Sequence, residues 1–268
     1  MRKFSFLLLL AIIGCSKSPQ GSQFLFALEA PGTYSVQMRD DVGEFLVLDT
    51  LELTGNDAFT VQFDTSRIIS FLPIEGELPV IHAVVGPDAK TLTVSKDGFI
   101  SGDAENNWLG AQRKMQLDLI SFTDSMDILR DYYGDSTSFV GLEKLNAAYY
   151  TYSDAYSQRI LDSLETHPER LPNLLTLYHL IGTQPALDYT IDRELLQNMY
   201  QQLRSTYPGS PDVTTYAIWL AKYEEMLSFT KEVEAAEAKF QPGQPFPELK
   251  LETPEGQSVH IKRMSLDN

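Results

Sequence analysis

Apolar residues recur at every second position through much of residues 23–101. The alternating positions are Phe24, Phe26, Leu28, Tyr34, Val36, Met38, Phe45, Val47, Phe59, Val61, Phe63, Leu92 and Val94. Turn-forming pairs such as Pro31-Gly32, Gly55-Asn56 and Asp97-Gly98 separate the runs. Because side chains of a strand point alternately to opposite faces, this pattern predicts short antiparallel strands with one face in a core. We therefore expect an antiparallel β-sandwich or barrel-like domain at residues 23–101.

The period changes to three and four after Asp103, which is a suitable helix N-cap. One long helix is predicted to end at Gly134, and a second covers residues 138–165. Shorter helices are expected near residues 172–181 and 191–206. Ser210 as N-cap and Pro211 at the first helical position predict a last helix that runs toward residue 239. We expect residues 102–239 to be all helical.

Residues 240–268 change character again. Pro242, Pro245 and Pro247 cannot continue a helix, whereas residues 248–251 and 258–261 are strand-like and are separated by a Pro-Gly-containing turn. This pattern predicts a short C-terminal β-hairpin. The complete chain is therefore expected to have an α+β fold.

The first residues have the layout of a secretory signal. Arg2 and Lys3 precede an apolar run over residues 4–13, and Gly14-Cys15 closes the run. The run has about half of the ~20 apolar residues that a transmembrane helix needs. We interpret residues 1–14 as a signal peptide, Cys15 as the lipidated residue of a lipobox, and residues 15–22 as a tether. A plain signal peptide with an incidental cysteine is the alternative.

The charge of the chain limits its partners. The 268 residues carry a formal net charge of −16, and removal of residues 1–14 would delete Arg2 and Lys3 but no acidic residue. Nucleic acid and anionic lipid would repel such a chain. We therefore expect the chain to contact the membrane through lipid on Cys15 and not to bind nucleic acid. An envelope protein is a possible further partner.

Cysteine chemistry is limited because the sequence has a single cysteine. Cys15 is the only cysteine, so once it is lipidated the chain has no thiol for a disulfide or for thiol-disulfide exchange. The sequence also has no Gly-x-Ser-x-Gly elbow, P-loop or dinucleotide fingerprint. We predict no catalytic residue and no cofactor in this chain.

Three sets of polar or aromatic residues could form a metal site or a ligand-binding groove. The histidines His82, His167, His179 and His260 lack the spacing of metal ligands, so we interpret them as structural or surface residues and expect no metal. Asp124, Asp127 and Asp131 share one helical side, where a solvated face is favoured over a cation site. The aromatic residues Trp108, Tyr149, Tyr150, Tyr152, Tyr156 and Trp219 are interpreted as core rather than as a sugar or peptide groove.

The C-terminal motif Gly243-x-Pro245-Phe246-Pro247-x-Leu249-x-Leu251 with Gly256-x-x-Val259-x-Ile261 resembles the opening of a thioredoxin-like domain. Such openings occur in TlpA-type and peroxiredoxin-type envelope proteins. Upstream, residues 49–50, 55–59 and 100–106 resemble the small β-domain of unknown function that precedes this domain in Bacteroidetes lipoproteins. The resemblance implies a thiol-disulfide oxidoreductase, but the family's Trp-Cys-x-x-Cys motif has no counterpart in residues 1–268. Residues 16–20 also lack the acidic cluster that marks surface export in related lipoproteins, which implies an anchor that faces the periplasm.

Two hypotheses about function remain open. The chain is either the anchored N-terminal portion of a TlpA-like oxidoreductase, shortened before its redox motif, or a complete non-catalytic lipoprotein that binds a protein partner or small ligand. The first is favoured by analogy, because an isolated hairpin has open edges. The nucleotide sequence after codon 268 distinguishes them, since the first requires an apolar strand and Trp-Cys-x-x-Cys in one frame.

The cysteine count gives a direct prediction about activity. Purified residues 16–268 should catalyse neither insulin reduction nor peroxide turnover above a buffer blank, because no thiolate is available as nucleophile. A thioredoxin in the same assay is the positive control. Thiol-dependent turnover that co-purifies with the chain through successive columns would contradict this prediction.

Overall fold

A computed structural model of the chain describes residues 21–134, 139–188 and 192–238, and the backbone of residues 249–252 and 258–261. The chain divides into two compact units with the boundary after Thr215. Cys15, the predicted lipid attachment site, lies outside the described residues.

Eight strands build the N-terminal part of the first unit. They are β1 (Ser22–Phe26), β2 (Gly32–Arg39), β3 (Phe45–Leu53), β4 (Ala58–Val61), β5 (Arg67–Pro73), β6 (Ile81–Val85), β7 (Thr91–Val94) and β8 (Ile100–Ser101). They form two four-stranded sheets with the orders β4-β1-β7-β8 and β3-β2-β5-β6. Within the described residues, neither sheet closes into a barrel.

The two sheets share one apolar core. Phe24 of β1 and Phe71 of β5 meet edge to face with their ring centroids 5.1 Å apart, and both side chains are fully buried. Further buried members from the two sheets are Phe26, Tyr34, Val36, Ile69, Ile81, Ala83, Leu92 and Val94. Burial of each large apolar side chain contributes ~1.5–3 kcal/mol. The alternating pattern predicted about half of this core, whereas buried members such as Ile69, Phe71 and Ile81 lie outside the runs that it identified.

Two details differ from the expected antiparallel arrangement. Strands β1 and β7 pair in parallel, with Phe24 opposite Leu92, so their sheet is mixed. Phe45 and Val47, which were expected in the core, are 64% and 56% exposed, and Leu46 between them is also exposed. They lie at the start of the edge strand β3, beyond a register shift between Val36 and Gln37. Beyond this bulge, the residues of β3 no longer alternate between a buried and an exposed face.

The remaining elements confirm the predicted α+β class. They are α1 (Ala104–Gly134), α2 (Phe139–Thr166), α3 (Asn173–Thr176), β9 (Leu180–Ile181), β10 (Gln184–Pro185), α4 (Arg193–Thr206), α5 (Pro211–Glu237), β11 (Leu249–Glu252) and β12 (Ser258–Ile261). The β9–β10 pair corrects the expectation that residues 102–239 are all helical. Ser22 is the first residue of β1 and is buried. The sheet therefore begins within residues 15–22, which were expected to be a tether. None of the described helices is long and apolar enough to span a bilayer.

Strands β11 and β12 form the antiparallel hairpin that was expected near the C-terminus. Leu251 is opposite Val259 in its register. Both strands belong to the second unit, in which Trp219 of α5 also stacks on Tyr223 with the ring centroids 5.6 Å apart. The resemblance of this region to a thioredoxin-like domain stays a prediction.

The start of α1 is held on the edge of β6 by Asn106. The side chain of Asn106 is fully buried; its Oδ1 accepts from Val84 N at 2.9 Å, and its Nδ2 donates to Val84 O at 2.9 Å. Asp103 caps the helix by accepting from Asn106 N at 2.8 Å, and it also pairs with Lys90. Helix α1 is thereby fixed against the sheet at its first turn.

The start of α5 is held on β5 by a buried carboxylate. Asp212 is 6% exposed, and its Oδ2 accepts from Ile68 N at 2.7 Å. Burial raises the pKa of Asp212 to about 6, although the Ile68 bond and the positive charges of Arg39 and Arg67 favour the ionised form. Because the folded pKa exceeds the ordinary value of 3.8, the folded state binds more protons between these two values. Ionisation of Asp212 therefore lowers stability as the pH rises through this window.

We expect Asp212→Asn to gain stability relative to the wild type between pH 4 and pH 7. The amide oxygen can still accept from Ile68 N, and the variant avoids burying a charge, which is worth up to about 3 kcal/mol for a two-unit pKa shift. Urea unfolding at several pH values measures the difference. Asp212→Ala is the control: it also removes the carboxyl and so shares the pH dependence, but it leaves Ile68 N unpaired and should be ~1–3 kcal/mol less stable than Asp212→Asn at every pH. A difference between Asp212→Asn and wild type that is independent of pH would contradict this account.

Candidate functional site

A cavity of about 190 Å³ lies between β6, α1, the end of α3 and the segment that follows α3. Its lining residues are His82, Leu109, Gln112, Arg113, Gln116, Leu175, Thr176, Tyr178 and His179. All of them belong to the first unit. The cavity is below the usual size of a pocket for drug-sized ligands, so it can accommodate only a small molecule.

The helical period of α1 places four residues on one side of the cavity. Leu109, Gln112, Arg113 and Gln116 follow each other at steps that place them on neighbouring positions of one face. Arg113 lies seven residues, or two turns, after Asn106, so the bonds of Asn106 to β6 direct Arg113 toward the sheet. The Arg113 Nη1 donates to Gln116 Oε1 at 2.6 Å, which orients the guanidinium.

The opposite segment is attached to α1 by contacts that recur every three residues. Arg170 Nη1 donates to Glu105 Oε1 at 2.7 Å, and Trp108 Nε1 donates to Asn173 Oδ1 at 2.9 Å. Thr176 Oγ1 then donates to Gln112 Oε1 at 2.9 Å. Two steps along the helix, of three and four residues, thus match two steps of three residues along 170–176. The next step of three along that segment reaches His179 at the cavity.

Two histidines face Arg113 from different elements. His82 of β6 is hydrogen-bonded through Nδ1 to Ser70 Oγ at 2.8 Å. Ser70 lies directly opposite His82 in the neighbouring strand β5. His179 is hydrogen-bonded through Nδ1 to Tyr156 Oη of α2, also at 2.8 Å. In each ring one nitrogen is therefore held by a hydroxyl group behind the cavity wall.

Burial and charge set the protonation of the cavity. Burial, reinforced by the positive charge of Arg113, lowers the pKa of His82 and of His179 to about 4, so both rings are neutral at neutral pH. Burial also lowers the pKa of Arg113, but an arginine remains charged in proteins. Among the ion pairs of the described residues, none involves Arg113. The cavity thus contains one uncompensated positive charge and two neutral imidazoles.

His82 and His179, which were interpreted from the sequence as structural or surface residues, line this cavity together. His167 lies elsewhere, edge to face with Trp108 at 4.9 Å, and the side chain of His260 is outside the description. In the described part, no group of three or more His, Cys, Asp or Glu residues could hold a metal ion. Asp124, Asp127 and Asp131 are exposed on α1, as a solvated face would be, and Asp127 pairs with Arg130 at 2.9 Å.

The aromatic residues of α2 do not gather in one groove. Tyr156 is buried, whereas Tyr150 is 67% exposed. Tyr152 stacks on Phe122 of α1 with the ring centroids 3.8 Å apart, and Tyr149 meets Tyr150 edge to face. Of this set, Tyr156 alone acts behind the cavity, through its bond to His179.

Comparison of the chain with protein-family models, with curated proteins and with solved structures found no match. The geometry of the cavity and the pattern of the N-terminal residues are therefore the observations on which a function is proposed.

We predict that the ring protons of His82 and His179 titrate with midpoints near pH 4 and that Arg113→Met raises both midpoints. The variant removes the positive charge that disfavours a second cation in the cavity. Since both folded pKa values lie below the ordinary value of 6.5, the unfolded state binds more protons in this window, and stability falls as the pH falls through it.

The measurement is an NMR pH titration of the histidine ring protons. Lys114→Met is the matched control, because the side chain of Lys114 is 71% exposed and its Nζ lies 3.7 Å from Asp118. A wild-type midpoint near 6.5 for either ring would show that it is not enclosed with Arg113.

Proposed function

We propose that this protein is a lipid-anchored protein of the bacterial cell envelope, facing the periplasm, and that its first unit binds a small ligand in the Arg113 cavity. The anchor is supported by one observation, the succession of Arg2-Lys3, the apolar run of residues 4–13 and Gly14-Cys15. Multiple acyl chains on a single cysteine would hold the protein stably at the membrane.

The chemistry of the cavity favours binding over catalysis. A general base works best when its pKa is near the working pH, whereas burial and Arg113 lower the pKa of His82 to about 4. The hydrogen bond between Ser70 and His82 is therefore poorly suited to activate the serine as a nucleophile. Hydrogen-bond donors and one charge around a small volume are, in contrast, what a specific binding pocket requires.

A second candidate function is that of the N-terminal module of a TlpA-like thiol-disulfide oxidoreductase. The observation that favours it is the antiparallel pairing of β11 with β12, at the residues that resemble the opening of a thioredoxin-like domain. In that case the described part would hold the redox domain at the membrane. An open reading frame beyond codon 268 that encodes Trp-Cys-x-x-Cys would support this function.

We expect Cys15→Ser to abolish lipid attachment. The variant should remain uncleaved or become soluble after export, because serine offers no thiol for acylation. Membrane fractionation with detergent partitioning of the expressed protein measures the change, and Ser18→Ala is the control that should stay membrane-bound. A processed Cys15→Ser protein that still partitions into detergent would contradict the proposed anchor.

A further inference from the structure

We propose that the cavity between β6, α1 and the segment after α3 binds the carboxylate group of a small organic acid, with the Arg113 guanidinium as the main contact. This inference rests on the proposed binding function and names the class of ligand. The charge of Arg113, the second nitrogen of His82 and His179, and the apolar walls of the cavity carry it.

Among the described residues, Arg113 has no acidic partner, although the chain is rich in acids. The sequence has 37 acidic and 21 basic residues, and two other half-buried cations of the first unit are neutralised. Arg170 pairs with Glu105 at 2.7 Å, and Lys90 pairs with Asp103. Arg113 donates instead to the neutral amide of Gln116. A buried charge is costly unless it is paired, so a bound anion would supply the counter-charge that the described residues omit.

The two histidines that line the cavity can add hydrogen-bond donors to the charge of Arg113. The hydroxyl groups of Ser70 and Tyr156 bind Nδ1 of His82 and His179. When these hydroxyl groups donate to Nδ1, each neutral ring carries its proton on Nε2. The Nε2 atoms then become donors for an anion in the cavity, and no second positive charge is needed.

The charge and the apolar walls of the cavity favour a monocarboxylate over a phosphate. The planar guanidinium fork can bind two oxygens of either anion, so the fork alone does not decide between them. One positive charge balances a monocarboxylate but not a doubly charged phosphate. Leu109 and Leu175 form apolar parts of the wall, which suit a short hydrocarbon chain attached to the carboxylate.

The test is a binding measurement on the full-length protein, purified in detergent, with butyrate as probe at constant ionic strength. Butyramide is the neutral probe of matched shape, and phosphate is the tetrahedral anion. We expect saturable binding of butyrate, seen by calorimetry and by shifts of the His82 and His179 ring protons, with weaker binding of butyramide and phosphate. Butyrate should also raise the melting temperature, because it binds the folded state alone.

Arg113→Met should weaken butyrate binding by about tenfold or more, since it removes a charge-assisted bidentate contact. Arg113→Lys, which keeps the charge but loses the fork, should show a smaller loss and serves as the second variant if Arg113→Met does not fold. Lys114→Met is the control and should bind as the wild type does. Without a probe, Arg113→Met should be at least as stable as the wild type, whereas a purely structural arginine would make it less stable.

Three results would overturn the proposal. Equal affinity for butyrate and butyramide would remove the carboxylate but leave a small-molecule site. Tighter binding of phosphate would assign the site to tetrahedral anions. The absence of saturable binding for all three probes up to about 10 mM would remove the binding function as well, while the anchor remains tested separately through Cys15→Ser.

Discussion

The pair of hydrogen bonds between Asn106 and the backbone of Val84 is the contact on which the arrangement of the first unit depends. Asn106 is fully buried, and its amide satisfies both the N–H and the C=O of one residue at the edge of β6. An edge strand normally exposes such groups. Here they attach the first turn of α1, and the direction of the helix then follows from its geometry. The cavity exists because Arg113 arrives two turns later beside His82, which lies two residues before Val84.

The same helix carries the segment that completes the cavity. Residues 167–179 form only the short helix α3 and tight turns, so they have little secondary structure of their own to hold their shape. Glu105, Trp108 and Gln112 of α1 each bind a polar side chain of this segment. Polar contacts between otherwise irregular backbone and a helix specify one register, since a shift by one residue would leave several buried groups unpaired. The position of His179 is thus set by α1 as well.

Two buried titratable sites have opposite effects on stability over overlapping pH ranges. Burial raises the pKa of Asp212 and lowers the pKa of His82 and His179. As the pH falls from neutrality, protonation of Asp212 stabilises the folded state while protonation of the histidines destabilises it. The two effects partly offset each other. Arg113 adds a partly buried charge that has no carboxylate partner among the described residues, which is a cost to stability.

The sequence alone determined the elements whose signal is local. Alternating apolar residues predicted much of the β-sheet core, and Asp103 and Ser210-Pro211 marked the beginnings of α1 and α5, because strand period and helix capping depend on neighbours along the chain. Strand β5 was not predicted, since Ile68 and Ile69 are both buried and break the alternation. The exposed start of β3 was assigned to the core because its position at a sheet edge has no sequence signal.

The cavity was decided only by the tertiary structure. His82, Arg113 and His179 are separated by 31 and 66 residues along the chain, and their spacing matches no ligand motif. They meet because a β-strand edge, a helix face and a turn converge, each of which is set by contacts between distant residues such as Asn106 with Val84 and Thr176 with Gln112. Local patterns report the period of an element but not which elements become neighbours. The sequence therefore predicted most of the elements, and the anchor stays a prediction, whereas packing alone brought the residues of the cavity together.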